Sequence, residues 1–278
     1  MEKFTLHNGI TIPALGYGTF KTEENVTAKV VKESIETGYR HIDAAAIYGN
    51  EKAVGQGIKN SGINREELFV TGKLWNEHRG YENTLKAFQQ TLNDLQLEYL
   101  DLYLIHWPAN EKQFANWKEL NNETWRALEK LYADGKVKSI GVSNFLPHHL
   151  DSLFEFATVK PMVNQIEIHP GYQQQDLVKY SQSLGMVVEA WGSLGQSRLL
   201  DNPTLKTIGE KHGKSAAQVS LRWLLQRKIL PLAKSITQSR IQENFEVSDF
   251  ILSEEDMVAI KAIPQQGFSG LNPDEVDF

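Results

Sequence analysis

The stretch YLDLYLIHWP, residues 99–108, is an apolar run that ends in His106, Trp107 and Pro108. Pro closes a strand because it has no N–H for the ladder, so His106 stands at a strand end. Three other ionisable side chains have comparable settings. Asp43 ends RHID, Tyr48 follows five residues later, and Lys73 sits near the end of LFVTGKL. Singly, each has an ordinary explanation: a turn cap, half-buried packing, a solvated lysine, a hydrogen-bonded core histidine. Together they form a proton-transfer set. A phenol with a pKa of about 10 is a poor acid at neutral pH, and a nearby ammonium is expected to lower that value. A carboxylate beside the ammonium keeps it charged and in place. An imidazole donor then orients a carbonyl oxygen toward the phenol. Such a set protonates an alkoxide as a hydride arrives, and the hydride must come from a cofactor, because no side chain supplies one.

The chemistry requires the four residues to meet at one mouth, and the hydrophobic pattern offers a frame for that. Strand candidates are 14–18, 40–43, 68–74, 100–106, 138–143, 162–168, 186–191 and 229–234. Helix-period segments lie between them, for example Val26–Thr37, Tyr81–Leu95, Thr124–Asp134, Leu146–Phe156, Gln174–Leu184 and Ser215–Gln226. Gly38, Gly135 and Gly185 follow three of these, where a left-handed cap is wanted. Eight strands alternating with helices predict an α/β protein with a closed (β/α)8 barrel, a TIM barrel. The competing open sheet usually carries G-x-G-x-x-G in its first turn, whereas GYGTFKTE lacks the third Gly. FTLHNGITIP predicts an N-terminal β-hairpin turning at Asn8-Gly9 in a type I′ turn. No linker or low-complexity segment interrupts the pattern, so residues 1–278 are expected to form a single domain. The tail Gln265–Phe278 is expected to fold as a loop over the active-site end.

Composition narrows the function classes. Hydrophobic residues make up 41% and charged residues 23%, an ordinary globular balance. A net charge of −6 and a pI of about 5.8 argue against general nucleic-acid affinity, which needs a basic face. Without Cys, disulfides, thiolate metal ligands and a Cys nucleophile are excluded. His148-His149 is a helix-start pair without ligand spacing, so no metal is expected. The N-terminus has no apolar signal region and no run approaches the roughly 18 apolar residues of a membrane span. A cytoplasmic protein without membrane contact is expected.

Barrel enzymes carry their chemistry at the C-terminal strand ends. Besides the four residues above, these ends hold Ser143-Asn144, Gln165 and Glu167, Trp191, and Lys234-Ser235. Three longer segments then carry a likeness: GYRHIDAAAIYGNEKAVG at 38–55, KSIGVSNF at 138–145 and LAKSITQSRIQEN at 232–244. On these motifs the chain resembles the aldo-keto reductase family, particularly bacterial members similar to 2,5-diketo-D-gluconate, glyoxal and methylglyoxal reductases. The resemblance implies an oxidoreductase that reduces small aldehydes and ketones with NADPH. Tyr48 would be the general acid, Lys73 paired with Asp43 would tune it, and His106 would orient the substrate. Ser143, Asn144 and Gln165 would hold the nicotinamide carboxamide, and Trp191 would stack on the ring. Lys234, Ser235, Thr237 and Arg240 would surround the adenosine 2′-phosphate, with Glu243 and Asn244 at the adenine. The resemblance also implies a small carbonyl substrate, with keto-sugars and dicarbonyls as candidates, and a monomer.

Two cations near one strand end support NADPH over NADH, since Arg grips phosphate bidentately. Ser239 and Gln242 suggest a capping box, hence a helix N-terminus pointing there. In AWGSLGQS, Gly192 and Ser193 stand where the family usually has Ser-Pro before Leu194. Ala233 replaces a usual Pro and Ala44 a common Thr. Gly192 removes a hydroxyl that usually touches the pyrophosphate, with Ser193 a candidate substitute, so altered cofactor affinity is expected. Phe20, Tyr48, Trp75, His106 and Trp107 are the expected pocket, with Tyr17 and Trp117 as further aromatic candidates and the polar loop Ala109–Asn122 beside it. Two other readings remain open: a barrel aldolase with Lys73 as Schiff-base former, and a cofactor-binding barrel with little turnover.

Overall fold

The computed structural model describes residues 2–278. Two short strands open the chain, β1 (Lys3–Thr5) and β2 (Thr11–Pro13), paired antiparallel with Thr5 opposite Thr11. Their turn differs from the type I′ expectation. The Gly9 N–H donates to Leu6 O at 2.8 Å, which puts His7 and Asn8 at its centre. Gly9 takes φ +86°, whereas Asn8 does not take a positive φ. Type I′ needs positive φ at both central residues, so this is a three-residue loop with Gly9 in the left-handed role. The Asn8 amide donates to Lys138 O, tying the hairpin beneath the barrel.

The barrel follows as β3 (Gly16–Gly18), α1 (Glu24–Thr37), β4 (His41–Asp43), α2 (Glu51–Ser61), β5 (Phe69–Leu74) and α3 (Tyr81–Leu95). Next come β6 (Leu102–Ile105), α4 (Trp117–Ala133), β7 (Ile140–Ser143), α5 (Pro147–Phe156), β8 (Val163–Glu167) and α6 (Gln175–Ser183). The last part is β9 (Val187–Trp191), α7 (Pro203–His212), α8 (Ala216–Gln226), β10 (Ile229–Ala233), α9 (Gln238–Phe245) and α10 (Glu254–Lys261). Strands β3 to β10 pair in parallel, and β10 closes on β3 through Leu232–Gly16 and Ala233–Tyr17. All eight predicted barrel strands are present, and the (β/α)8 barrel is the observed fold. Among the described residues no helix is long and apolar enough to cross a membrane.

Helices α2, α7 and α10 fell outside the sequence expectation, whereas α9 was expected from the Ser239–Gln242 pair and begins one residue before it. In α2, Gly55 and Gly57 weaken the helical signal for a packing reason. A Cβ on Gly55 would lie 2.2 Å from the Leu95 carbonyl oxygen, and one on Gly57 would lie 2.7 Å from the Ala28 oxygen. Helix α4 begins at Trp117, so much of the expected loop 109–122 is helical. Its polar face there is occupied: Asn121 is buried, accepts the Ala109 N–H at 2.8 Å and donates to Ala109 O at 3.0 Å. This amide pins the start of α4 to the exit of β6. The tail folds over the C-terminal end of the barrel, where Asn110 donates to the Pro273 and Val276 carbonyls and Ser269 bonds Glu167.

Gly55→Ala is expected to destabilise the protein by roughly 2 kcal/mol, because an obstructing backbone carbonyl cannot yield as a side chain would. Helix propensity alone predicts the opposite sign. Equilibrium urea unfolding decides between them, and a variant as stable as the parent would refute the contact argument.

Candidate active site

Strand β5 carries Lys73 into the barrel, where it is 0% exposed. Its Nζ donates to Asp43 Oδ1 at 2.6 Å, to the Ala44 carbonyl at 3.2 Å and to the Tyr48 oxygen at 3.2 Å. The ammonium has three protons and no acceptor, so all its capacity is used. The phenol oxygen must therefore accept from Lys73, and its own proton is free to point away. Burial pulls the Lys73 pKa down, but Asp43 and Tyr48 outweigh it and hold the value above the ordinary one.

Tyr48 ends a single 3-10 turn, Ala46–Tyr48, that leaves β4 and closes at Gly49 with φ +68°. Burial raises its pKa above 10.0, the Lys73 charge takes part of that back, and Asp43 adds to it. The net direction is a rise, opposite to the fall expected from the ammonium alone. A phenolate in this throat loses more hydration than Lys73 returns. Tyr48 thus rests as the protonated acid. His106 is buried first by its surroundings and then disfavoured as a cation by Lys73, so its pKa lies well below 6.5 and the imidazole is neutral. Its ring is 5.7 Å from that of Tyr48. Its Nδ1 is sealed without a partner, whereas Nε2 is neither bonded nor sealed and serves the open side.

The second oxygen of Asp43 accepts from Gln165 Nε2 at 2.9 Å, and the same nitrogen donates to Glu189 Oε2 at 2.7 Å. Burial and then Asp43 push the Glu189 carboxyl up to about 8. Behind Lys73, burial raises Glu51 to about 7. Neither acid was singled out from the sequence. The available signal was a carboxyl residue in a buried apolar strand, Val188-Glu189-Ala190, and at the start of a helix whose face is buried.

The pocket residues converge as expected. Phe20 lies 5.0 Å from Tyr48, and Trp75 lies 5.4 Å from His106 between ring centres. Trp107 approaches Trp191 at 6.4 Å, and Phe278 stacks on Trp75 at 5.4 Å. Two apolar candidates lie elsewhere: Tyr17 is core, its hydroxyl donating to Ser235 O at 2.6 Å, and Trp117 packs 5.2 Å from His149. A cavity of about 320 Å³ adjoins this wall, lined by Asn144, Glu167, Tyr172, Trp191 and the tail residues Phe268 and Leu271.

Ser143, Asn144, Gln165 and Trp191 cluster at the ends of β7, β8 and β9. Asn144 has φ +63° and donates Nδ2 to His106 O and Ser143 Oγ. Its Oδ1 accepts the Trp191 indole N–H at 2.8 Å. A second cleft of about 190 Å³ gathers Leu194, Lys234, Ser235, Arg240, Glu243 and Asn244. Thr237 is the residue before α9, and its side chain caps nothing. The expected capping box at Ser239 is not formed, because α9 already begins at Gln238 and Gln242 bonds Glu246 instead. The first N–H groups of α9 are therefore left without a side-chain cap. Lys234 and Arg240 have no carboxylate partner among the described residues. Burial and then Lys21, a neighbour missed from the sequence, hold Lys234 below its ordinary pKa. Unpaired cations beside an uncapped helix start fit a phosphate dianion.

Gly192 has φ +65°. The Ser193 hydroxyl donates to Ala190 O at 2.8 Å and accepts the Leu232 N–H at 3.2 Å. It faces the barrel wall and does not replace the hydroxyl absent at Gly192. The tail brings Asp274 to His148 and His149, within 3.0 and 3.4 Å. This convergence was invisible in the sequence spacing. His149 Nδ1 accepts the Leu146 N–H, which leaves its proton on Nε2, directed at Asp274. That arrangement is a hydrogen-bonded clasp. Lys73, fully bonded and held charged, is unsuited to Schiff-base chemistry, which needs a free neutral amine.

The model for the family described as "Aldo/keto reductase family" matches residues 14–265. The glyoxal reductase of Bacillus subtilis is 53% identical over 98% of this chain and 96% of its own. The morphine 6-dehydrogenase of Pseudomonas putida is 41% identical over 98% and 94%. An aldo-keto reductase from a Medee basin deep-sea metagenome library superposes with a TM-score of 0.94, at 46% identity over 99% of this chain and 100% of that one. A Gox0644 variant solved in complex with NADPH gives 0.92, at 39% identity over 100% and 99%.

The folded chain holds a proton on Glu189 up to about pH 8, which an unfolded carboxyl with the ordinary value of 4.5 releases. Folding takes up that proton between those values, so the contribution of Glu189 to stability falls as pH rises. Glu189→Gln keeps an uncharged acceptor and removes the titration. Its stability relative to the parent is expected to grow from about pH 5 to about pH 8, reaching a few kcal/mol. Unfolding curves across that range check this; a pH-independent difference would show that Glu189 holds no proton.

Proposed function

The chain belongs to the aldo/keto reductase family and is an oxidoreductase; from that premise we propose that it reduces small aldehydes and ketones, dicarbonyls and keto-sugars among them, to alcohols. The observation that supports this reading best is the bonding of Lys73, which occupies the lone-pair side of the Tyr48 oxygen and frees the phenolic proton. NADPH is the cofactor and, when bound, supplies the hydride to the carbonyl carbon. The neutral His106 donates from Nε2 to the substrate oxygen and turns it toward Tyr48. Tyr48 then transfers its proton to that oxygen as the C–O bond becomes single. The phenolate left behind is held by the Lys73 ammonium, which Asp43 keeps in place, and takes a proton back from solvent. Phe20, Trp75 and Trp107 wall the pocket and limit water beside the reacting carbon.

In this reading Ser143, Asn144 and Gln165 meet the nicotinamide carboxamide, with Trp191 against the ring. Leu194 and the backbone at Gly192 and Ser193 border the pyrophosphate. Lys234, Ser235, Thr237 and Arg240 hold the 2′-phosphate, and Glu243 and Asn244 the adenine. We read residues 1–278 as a single domain on the same grounds. The relation to glyoxal reductase supports small dicarbonyls as substrates, and the aromatic throat favours a compact, uncharged carbonyl group.

Tyr48→Phe is expected to lower carbonyl reduction by at least about a hundredfold, with NADPH binding retained. NADPH oxidation against methylglyoxal, glyceraldehyde and 2,5-diketo-gluconate tests this; unchanged turnover would overturn the general-acid role. Arg240→Ala is expected to weaken NADPH by roughly tenfold or more while NADH changes little. Equal losses for both cofactors, measured by fluorescence titration, would remove the 2′-phosphate from this cleft.

A further inference from the structure

The Gln165 amide is held from inside the barrel by two carboxyl groups. Its nitrogen donates to Asp43 Oδ2 at 2.9 Å and to Glu189 Oε2 at 2.7 Å, so both amide protons are used. Its carbonyl oxygen accepts no hydrogen bond and is not among the sealed polar atoms. Which end of an amide is oxygen follows from its partners, and two acceptors leave only one answer. One bond, to Asp43, would leave the amide plane a pivot. A second bond from another direction fixes it. Glu189 is placed for that task, because it lies directly opposite Gln165 in the β8–β9 register and is 0% exposed. Among the described residues its other oxygen has no partner, and the bond to Gln165 is the one hydrogen bond this buried carboxyl makes.

The neighbouring polar groups are already engaged. The Ser143 hydroxyl donates to Gln165 O at 2.8 Å, and the Asn144 amide is bonded at both ends. The Ser143 hydroxyl and the Asn144 backbone N–H use the Gln165 backbone oxygen, so the Gln165 side-chain Oε1 is the open acceptor of the three. We infer that Glu189 is a positioning residue for cofactor recognition: by fixing the Gln165 amide, it presents a rigid acceptor that selects a nicotinamide carrying a carboxamide N–H. This rests on the proposed cofactor site. A ligand with an acetyl group in place of the carboxamide offers no proton to that acceptor and leaves it desolvated and unpaired.

The test compares NADP+ with its 3-acetylpyridine analogue, both titrated by quenching of tryptophan fluorescence. The parent is expected to favour NADP+ by roughly tenfold. Glu189→Gln, which retains an acceptor for Gln165, should keep that ratio. Glu189→Leu, of similar volume, should reduce it to less than about threefold, while affinity for 2′,5′-ADP stays the same in all three proteins. Glu189→Met serves if the Leu variant does not fold. An apolar variant that keeps the parental ratio, or a Gln variant that loses it, would overturn the positioning role and leave the proposed reductase activity standing. A parent that binds 2′,5′-ADP but does not discriminate would also overturn it. No binding of NADP+ by the parent would overturn the proposed function as well.

Discussion

A lysine ammonium sealed inside a barrel must give each of its three protons to something, and the arrangement around Lys73 follows from that demand. A charge removed from water costs several kcal/mol unless it is paired and fully bonded. Asp43, the Ala44 carbonyl and the Tyr48 oxygen meet the demand from a single strand end and the turn leaving it. Since the ammonium can only donate, the direction of the phenolic proton is decided by the lysine and not by the phenol. The same bonding explains why β4 stops at Asp43 and passes at once into a single 3-10 turn. A longer excursion would carry the tyrosine out of reach.

Around that pair the barrel departs from the usual layering. Interior layers of such barrels are filled mainly by branched apolar side chains. Here the C-terminal half of the interior holds Asp43, Lys73, Gln165 and Glu189, all buried. Packing therefore yields to hydrogen bonding in that layer, and the strands supply rigidity in place of loops. The aromatic side chains Phe20, Trp75 and Trp107 stand above it on connecting segments, where the wall can differ without disturbing the polar layer beneath.

The strands and the convergence of Asp43, Tyr48, Lys73 and His106 were legible because buried parallel strands give short apolar runs, and a polar residue at or just beyond the end of such a run is conspicuous. Helices α2 and α4 were partly hidden for a common reason. Their polar or glycine positions are satisfied by distant backbone, Gly55 against Leu95 and Asn121 around Ala109, and neither contact has a local sequence signal. The rise in the Tyr48 pKa was misjudged because spacing conveys which charges are near and not how much water is lost. Asp274 joined His148 and His149 through the fold of the tail, a separation in sequence that no motif spans. Glu189 shows the converse: alternation along a strand says which way a side chain faces, but not what it meets there.

The pair of raised acids, Glu51 at about 7 and Glu189 at about 8, has a consequence for what can approach the throat. Glu189 inside the barrel and Glu51 on α2 behind it both face the Lys73–Asp43 pair, in which the ammonium is already matched by one carboxylate. The raised values favour the protonated form of Glu189 and leave Glu51 titrating near neutrality, which limits the negative charge around the pair. Lys73 has no proton left to offer and His106 is uncharged. A carboxylate brought beside Lys73 would find that ammonium already paired with Asp43, which favours an anionic molecule bound with its charge toward the rim and its neutral carbonyl end inside. The barrel thereby sorts ligands by where along their length the charge lies, before any contact with the aromatic wall discriminates among their shapes.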